Sequence, residues 1–284
     1  MKETINFGYL PDEHSNAENS GIVIIPVAYD GTSTWMKGAD EGPAAIIEAS
    51  ANMELYDIET DSEVYKKGIF TESTIGGDIS TREMIEAVHE AVRYYIEKDQ
   101  FTVVIGGEHS VSIGSIRAHV ERYPEVTVLQ LDAHADLRDE YNGSKHNHAC
   151  VMARTRELCP IVQVGIRSMD SSEKEKMNKS GVFFAEKIHN QTDWIGKAVS
   201  MLSENVYVTV DLDVLDPSIM PSTGTPEPGG LLWYDILELL KAVTEKKNVV
   251  GLDVVELCPD DRNKGPDFLA AKLIYKLLSY KFRG

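Results

Sequence analysis

Val126-Thr-Val-Leu-Gln-Leu131, followed at once by Asp132-Ala-His-Ala-Asp136, is the stretch from which the fold can be read. An uncharged, β-branched run is a strand buried on both faces, and such strands belong to parallel sheets covered by helices on either side. Working outward, comparable runs occupy Ile22 to Ala28, Lys67 to Phe70, Phe101 to Ile105, Ile161 to Val164, Val182 to Ala185, Val206 to Val210 and Val249 to Asp253. Amphipathic stretches lie between them. Ser80-Thr-Arg-Glu83 reads as a capping box, after which Met84, Val88, Val92 and Ile96 recur at helical spacing. Ser112 to Arg122, Asp193 to Ser203, Tyr234 to Glu245 and Asp267 to Lys281 are further expected helices. The alternation predicts parallel βαβ units and hence an α/β protein with three α/β/α layers. No internal repeat, low-complexity tract or long Pro/Gly/Ser linker interrupts it, so residues 1–284 are read as a single domain.

Composition narrows the function classes. Across 284 residues, a hydrophobic content of 42% supplies a sizeable core. Lys and Arg total 28 against 46 Asp and Glu, a net charge of −18. That balance argues against nonspecific binding to nucleic acid or anionic membrane and suits a small cationic ligand. Cys150, Cys159 and Cys258, with no CxxC pair, indicate neither a disulfide framework nor a zinc ribbon and fit a reducing, cytoplasmic setting. Met1-Lys-Glu-Thr4 opens no basic-then-apolar leader, and no stretch approaches the roughly 18 apolar residues of a membrane span. Neither export nor membrane insertion is expected.

Parallel sheets bind ligands beyond the carboxyl ends of their strands. Asp132, His134 and Asp136 fall there, and Asp211-Leu-Asp213 follows Val206 to Val210 in the same way. A strand's period of two lets alternate residues project to one side of its end. Phe101 to Ile105 runs into Gly106-Gly-Glu-His-Ser110, whose glycines permit a tight turn that brings His109 over the same edge. Carboxylates forced together raise one another's pKa unless a cation neutralises them, and mixed oxygen and imidazole donors suit a divalent transition metal better than calcium. Singly, an Asp at a strand end is usually a cap or turn residue, and Asp-X-Asp also resembles the metal site of some nucleotide-sugar transferases. Three strand ends together make His109, Asp132, His134, Asp136, Asp211 and Asp213 candidate metal ligands. Four carboxylates balance two divalent ions, leaving a site able to acidify a bridging water to the attacking hydroxide. Gly106-Gly107 lacks the Lys-bearing sequel of a phosphate-binding loop, which disfavours nucleotide phosphoryl transfer.

Gly106-Gly-Glu-His-Ser110, Asp132-Ala-His-Ala-Asp136 and Asp211-Leu-Asp-Val-Leu-Asp-Pro217 resemble, in order and spacing, the signature motifs of the ureohydrolases, the arginase and agmatinase family of binuclear manganese enzymes. The resemblance runs from Ile22 to the end of the chain. It implies an arginase-like fold, with a parallel sheet of about eight strands between helix layers, and hydrolysis of a guanidino group to urea and an amine. It also implies two Mn²⁺ per subunit, one held by His109, Asp132, Asp136 and Asp211, the other by Asp132, His134, Asp211 and Asp213. Glu256, in Gly251-Leu-Asp-Val-Val-Glu256, matches the family's guanidinium-binding glutamate, a carboxylate able to hold that planar cation by two parallel hydrogen bonds. The leaving amine needs a proton donor with a pKa near working pH, and both His146 and His148 follow the metal motif. The agmatinase pattern points to His148 as acid and proton shuttle. His14, His89, His119 and His189 match no motif and are read as surface or helix-face residues.

Leu137-Arg-Asp-Glu-Tyr141, Gly31-Thr-Ser-Thr34 and Lys37 to Pro43 are similar to the agmatinase versions of these segments, and Gly165-Ile-Arg-Ser168 recurs across the wider family. Asp139 or Glu140 is expected to receive a distal ammonium, whereas Arg138 in the pocket would favour a carboxylated substrate such as guanidinobutyrate. The resemblance implies hydrolysis of agmatine to putrescine and urea, within polyamine biosynthesis. N(1)-aminopropylagmatine, guanidinobutyrate and arginine are the alternative guanidines. Metal-dependent deacetylases share the fold but use one zinc, and a noncatalytic metal-binding regulator of polyamine metabolism would normally lose ligands, of which none is missing here. Assembly as a homo-oligomer, a trimer or hexamer, is implied too.

Overall fold

The uncharged runs become strands of one sheet. In the computed structural model, which describes residues 6–191 and 193–283, the strands are β1 (Ile22–Ala28), β2 (Ile69–Thr71), β3 (Ile75–Gly76), β4 (Phe101–Gly106), β5 (Val126–Leu131), β6 (Ile161–Ile166), β7 (Val182–Phe184), β8 (Asn205–Asp211) and β9 (Asn248–Val255). Met1 to Thr4, on which the reading of no leader rests, lies outside the described residues. Every strand pair is parallel, in the order β2-β1-β4-β9-β8-β5-β6-β7, with β3 also beside β1. The sheet has nine strands rather than about eight because of β3, a two-residue pairing too short to leave a pattern. β2 starts at Ile69 instead of Lys67, because Val64–Lys67 winds as a 3-10 turn that Gly68 closes at φ +75°.

The helices are α1 (Gly42–Ser50), α2 (Thr81–Ile96), α3 (Ser112–Arg122), α4 (Val151–Thr155), α5 (Ala185–Ile188), α6 (Trp194–Met201), α7 (Trp233–Lys246) and α8 (Gly265–Lys281). The capping box closes at α2, where Glu83 N–H donates to Ser80 Oγ and Ser80 N–H donates to the Glu83 carboxylate. Ala185 starts α5 rather than ending β7. Neither α1 nor α4 is signalled by periodicity; α1 opens on Gly42-Pro43, a proline where the missing N–H costs nothing. Alternation along β1 separates the layers. Ile22 and Ile24 join the core beneath α1, α6, α7 and α8, whereas Val23, Ile25 and Val27 join the core beneath α2, α3 and α4. The result is the expected three-layer α/β/α fold. Among the described residues, no helix is long and apolar enough to cross a membrane.

His119, expected as a surface or helix-face residue, lies on the inward face of α3. It is fully buried, with Nδ1 2.8 Å from the Ser115 carbonyl and Nε2 3.2 Å from Thr102 Oγ1. Its ring occupies the space left by Gly251, where a Cβ would come within 2.2 Å of it. Burial pushes its pKa down to about 4. As pH falls, the unfolded chain therefore binds this proton first, at about 6.5, so the stability contributed is complete above about pH 6.5 and is lost towards about pH 4. His119→Gln, which keeps polar atoms for both partners, should lose less stability than the parent protein on acidification. Urea unfolding at about pH 7.5 and about pH 5 should show a difference on the order of 2 kcal/mol between the two losses; equal losses would contradict the account.

Candidate metal centre and its cavity

Parallel strands all end at one edge, and the order β4-β9-β8-β5-β6 sets the residues that follow them side by side. His109 follows β4, Glu256 follows β9, Asp211 ends β8 with Asp213 beyond it, and Asp132 follows β5. The glycine pair before His109 serves close approach. A Cβ on Gly107 would lie 2.0 Å from the Tyr29 carbonyl oxygen, and one on Gly106 would lie 2.3 Å from Val111. Two site carboxylates stand on left-handed backbone, Asp136 at φ +51° and Glu256 at φ +67°. Non-glycine residues rarely adopt this conformation without a structure that enforces it.

Hydrogen-bond logic decides which nitrogen His109 offers. Thr209 Oγ1 donates its one hydrogen to Asp253 Oδ1 at 2.6 Å, so at 3.0 Å it accepts from His109 Nε2–H. Nδ1 is thereby left with its lone pair. It is buried without a hydrogen-bond partner and lies 3.0 Å from Asp136, 3.2 Å from Asp132 and 3.4 Å from Asp211 carboxylate oxygens. A lone pair facing three carboxylates requires a proton or a cation between them. Asp132 is aimed by Gln130 Nε2 and by His134 N–H, each donating to it at 2.6 Å, and Gln163 donates to Gln130 in turn. Asp213 accepts from Ala133 N–H at 3.0 Å and turns its other oxygen to His134 Nδ1 at 2.9 Å.

Two groups able to hold a metal result: His109 with Asp132 and Asp211, and Asp132 with His134 and Asp213, the donor atoms of each lying within 4.8 Å of one another. Asp132 belongs to both. Burial pushes Asp136 up to about 7 and Asp211 well above the carboxylate range, and neighbouring aspartates push the same way. Burial alone would lower His134, but Asp213 and Asp132 drive it up to about 12. These shifts mark an anionic cluster short of counter-charge, and the imidazole and carboxylate donors suit divalent transition-metal ions.

The cluster forms the floor of a cavity of about 320 Å³. Glu256, only 8% exposed, opens onto it and accepts from His109 N–H at 2.7 Å. His148 lines it too, whereas His146 is exposed and does not. Burial holds His148 down to about 4, below the working pH expected of a stored acid. Asp139 and Glu140 do not reach the cavity. Asp139 is 71% exposed and paired with Lys176 at 2.6 Å, while Arg154 holds its carbonyl outward; Glu140 is exposed. The carboxylates that line the cavity on this side are instead Asp170 and the buried Glu173. Sequence reading passed over both, although they follow β6, the strand beside β5, where the strand-end rule would have flagged them. Arg138 does line the cavity, with its guanidinium 4.5 Å from the Tyr141 ring centre, 3.9 Å from Glu173 and 4.0 Å from Asp170. Arg167, after β6, donates to the carbonyls of Asp213, Val214 and Glu227 and so ties the Pro217 to Gly230 loop to the floor.

Asp253 accepts from both Thr209 and Tyr207 at 2.6 Å. Ala offers no acceptor to either, so Asp253→Ala frees Thr209 and with it the His109 tautomer. Divalent-metal affinity, measured by calorimetric titration, should weaken about 10- to 100-fold while the far-ultraviolet spectrum stays unchanged.

A profile of the arginase family matches residues 20–279. An N(1)-aminopropylagmatine ureohydrolase of Synechocystis sp. is 37% identical over 273 residues, covering 92% of this chain and 89% of that protein. An agmatinase of Pyrococcus horikoshii is 32% identical over 275 residues, covering 94% of each. The crystal structure of an agmatine ureohydrolase of Thermoplasma volcanium superposes with a TM-score of 0.87 at 30% identity, over 95% of this chain and 93% of that one. With the motifs at adjacent strand ends and these similarities along nearly its whole length, the chain belongs to the arginase family.

Proposed function

We propose that the whole chain acts as one ureohydrolase unit that cleaves the guanidino group of an agmatine-type substrate to urea and a polyamine. N(1)-aminopropylagmatine is the favoured substrate and agmatine the second. The observation that carries the proposal is the pair of His and Asp groups sharing Asp132, with Glu256 on the same cavity. Divalent ions held by His109, Asp132, His134, Asp136, Asp211 and Asp213 supply, when bound, the positive charge that makes water a nucleophile near neutral pH. Glu256 pairs with the planar guanidinium, and its burial strengthens that attraction. A histidine held at about 4 does not store a proton at neutral pH. His148 therefore relays one, taking it from the water that adds to the guanidinium carbon and handing it to the leaving amine as the carbon–nitrogen bond breaks.

The order of substrates rests on the mouth and on the relatives. The motifs alone favour agmatine; among the relatives, the N(1)-aminopropylagmatine ureohydrolases of Synechocystis sp. and Thermus thermophilus, at 37% and 36% identity, exceed the 32% of the agmatinase from Pyrococcus horikoshii, whereas that of Thermococcus kodakarensis stands at 31%. Trp35, 70% exposed, lines the cavity with the partly open Met36 and Met169, an apolar rim suited to a methylene chain longer than agmatine's. Glu173 and Asp170 balance the charge of Arg138, which removes the expected repulsion of a dication. Manganese as the metal, two ions per chain, a trimeric or hexameric assembly and a cytoplasmic site of action are parts of the same proposal.

Mn²⁺-loaded protein should release urea from N(1)-aminopropylagmatine and from agmatine far faster than from arginine or guanidinobutyrate, and a chelator should abolish the activity. Faster release from arginine would refute the assignment. Elemental analysis should find two metal ions per chain; one would exclude the two-metal reading. Glu256→Gln should lower kcat/KM about 100-fold or more for every guanidine, the scale of losing one positioned charge partner. Trp35→Ala should raise KM about three- to tenfold for N(1)-aminopropylagmatine and leave agmatine nearly unchanged.

A further inference from the structure

Thr32 lies in the loop after β1, far in sequence from His148, yet it meets that residue twice. Thr32 Oγ1 accepts the His148 backbone N–H at 2.9 Å and lies 3.2 Å from His148 Nδ1. Its loop is held firmly. The Asp30 carboxylate accepts from Ser33 Oγ, from Gly38 N–H at 2.8 Å and from Lys37 Nζ at 3.0 Å. On the His148 side, Asn147 Oδ1 accepts from Ala149 N–H, which fixes the backbone without touching the ring, and the Thr32 backbone adds a hydrogen bond to the imidazole. Tyr141 stands edge-on to the imidazole at 6.1 Å and offers it a face without a hydrogen bond. Among the described residues, His148 Nε2 has no hydrogen-bond partner in the protein.

An imidazole on a rotatable side chain can present either edge, and a turn of the ring exchanges nitrogen for carbon at both ends. Only one of the two orientations places Nδ1 against the hydroxyl. We infer that Thr32 is a positioning residue for the reaction: it holds the His148 ring by Nδ1, so that Nε2 is the nitrogen presented to the substrate. The inference rests on the reading that His148 relays the proton. It assigns to the loop after β1 a part in proton transfer besides shaping the entrance. Thr32 never touches the reacting atoms. Its effect belongs to the rate of proton transfer and not to substrate affinity, because the guanidinium is held elsewhere, by Glu256.

The test compares Thr32→Val, Thr32→Ser, His148→Asn and the Thr32→Val/His148→Asn double variant as metal-loaded enzymes, with agmatine and N(1)-aminopropylagmatine. Thr32→Val should lower kcat about 10- to 100-fold with KM within about twofold. Thr32→Ser, which restores the hydroxyl, should recover most of the rate. The kcat pH profile should move in the valine variant and not in the serine one. The double variant should be no slower than His148→Asn, since the hydroxyl has nothing to position once the imidazole is gone. Wild-type kcat in Thr32→Val overturns the inference, as does a double variant slower than His148→Asn by the full Thr32→Val factor. Wild-type kcat in His148→Asn overturns the reading beneath it, which separates the two failures. Melting curves and metal content establish that Thr32→Val is folded; if it is not, Thr32→Ala takes its place in the same cycle.

Discussion

Like-charge repulsion among buried carboxylates is the constraint on which this structure turns. Asp132, Asp136, Asp211 and Asp213 converge where little water reaches, and Glu256 stands beside them. Two unit charges about 4 Å apart repel by about 4 kcal/mol at an effective dielectric of about 20. A flexible chain would let such groups drift apart into water. The parallel sheet prevents it, because each residue stands at the end of a strand buried on both faces and gripped by neighbouring strands.

What offsets the repulsion is a ring of polar groups one step further from the cavity. Backbone N–H groups of Ala133, His134 and Asp213 donate to Asp213, Asp132 and Asp211, and Gln130 donates to Asp132. Asp253, through Thr209, settles which nitrogen of His109 carries hydrogen. Glu173 accepts from Leu137 N–H and Asp170 N–H, joining the segment after β5 to the segment after β6. Asp136 and Glu256 stay on left-handed backbone because bonds on either side hold them: the Asp136 carbonyl accepts from Ala153 N–H at 3.0 Å, while Glu256 N–H donates to the Gly107 carbonyl at 2.8 Å and its carboxylate accepts from His109 N–H. The same groups aim donor atoms and restrain the segments that bear them.

Much of this was legible beforehand, and for identifiable reasons. Strands buried on both faces leave uncharged runs, so β5 shows in the sequence, as does β8 up to its terminal Asp211, and the candidate ligands show because they end or follow those runs. Glu256 was recognised only by its motif. Asp139 and Glu140 were misplaced because adjacency to the metal motif says nothing about direction: Lys176 and Arg154, from other segments, pull that stretch to the surface. The burial of His119 on the face of α3 had no local signal for a similar reason, since it depends on the space that Gly251 leaves on a distant strand. Asp170 and Glu173 carried only the weak signal of following a strand, and the structure made it count by setting β6 beside β5.

The sequence by itself determined most of the strands, the polar residues that follow them and the donor chemistry of the candidate metal site. These properties are set within a few residues, by side-chain alternation and by the identities of His, Asp and Gly. Only the tertiary structure decided that β4, β9, β8, β5 and β6 are neighbours in that order, although β9 comes last in the chain. It also decided that Asp170 and Arg138 face the cavity while Asp139 faces water. Strand order and loop direction arise from how distant segments share one buried sheet and compensate one another's charges, and no local stretch of sequence carries that information.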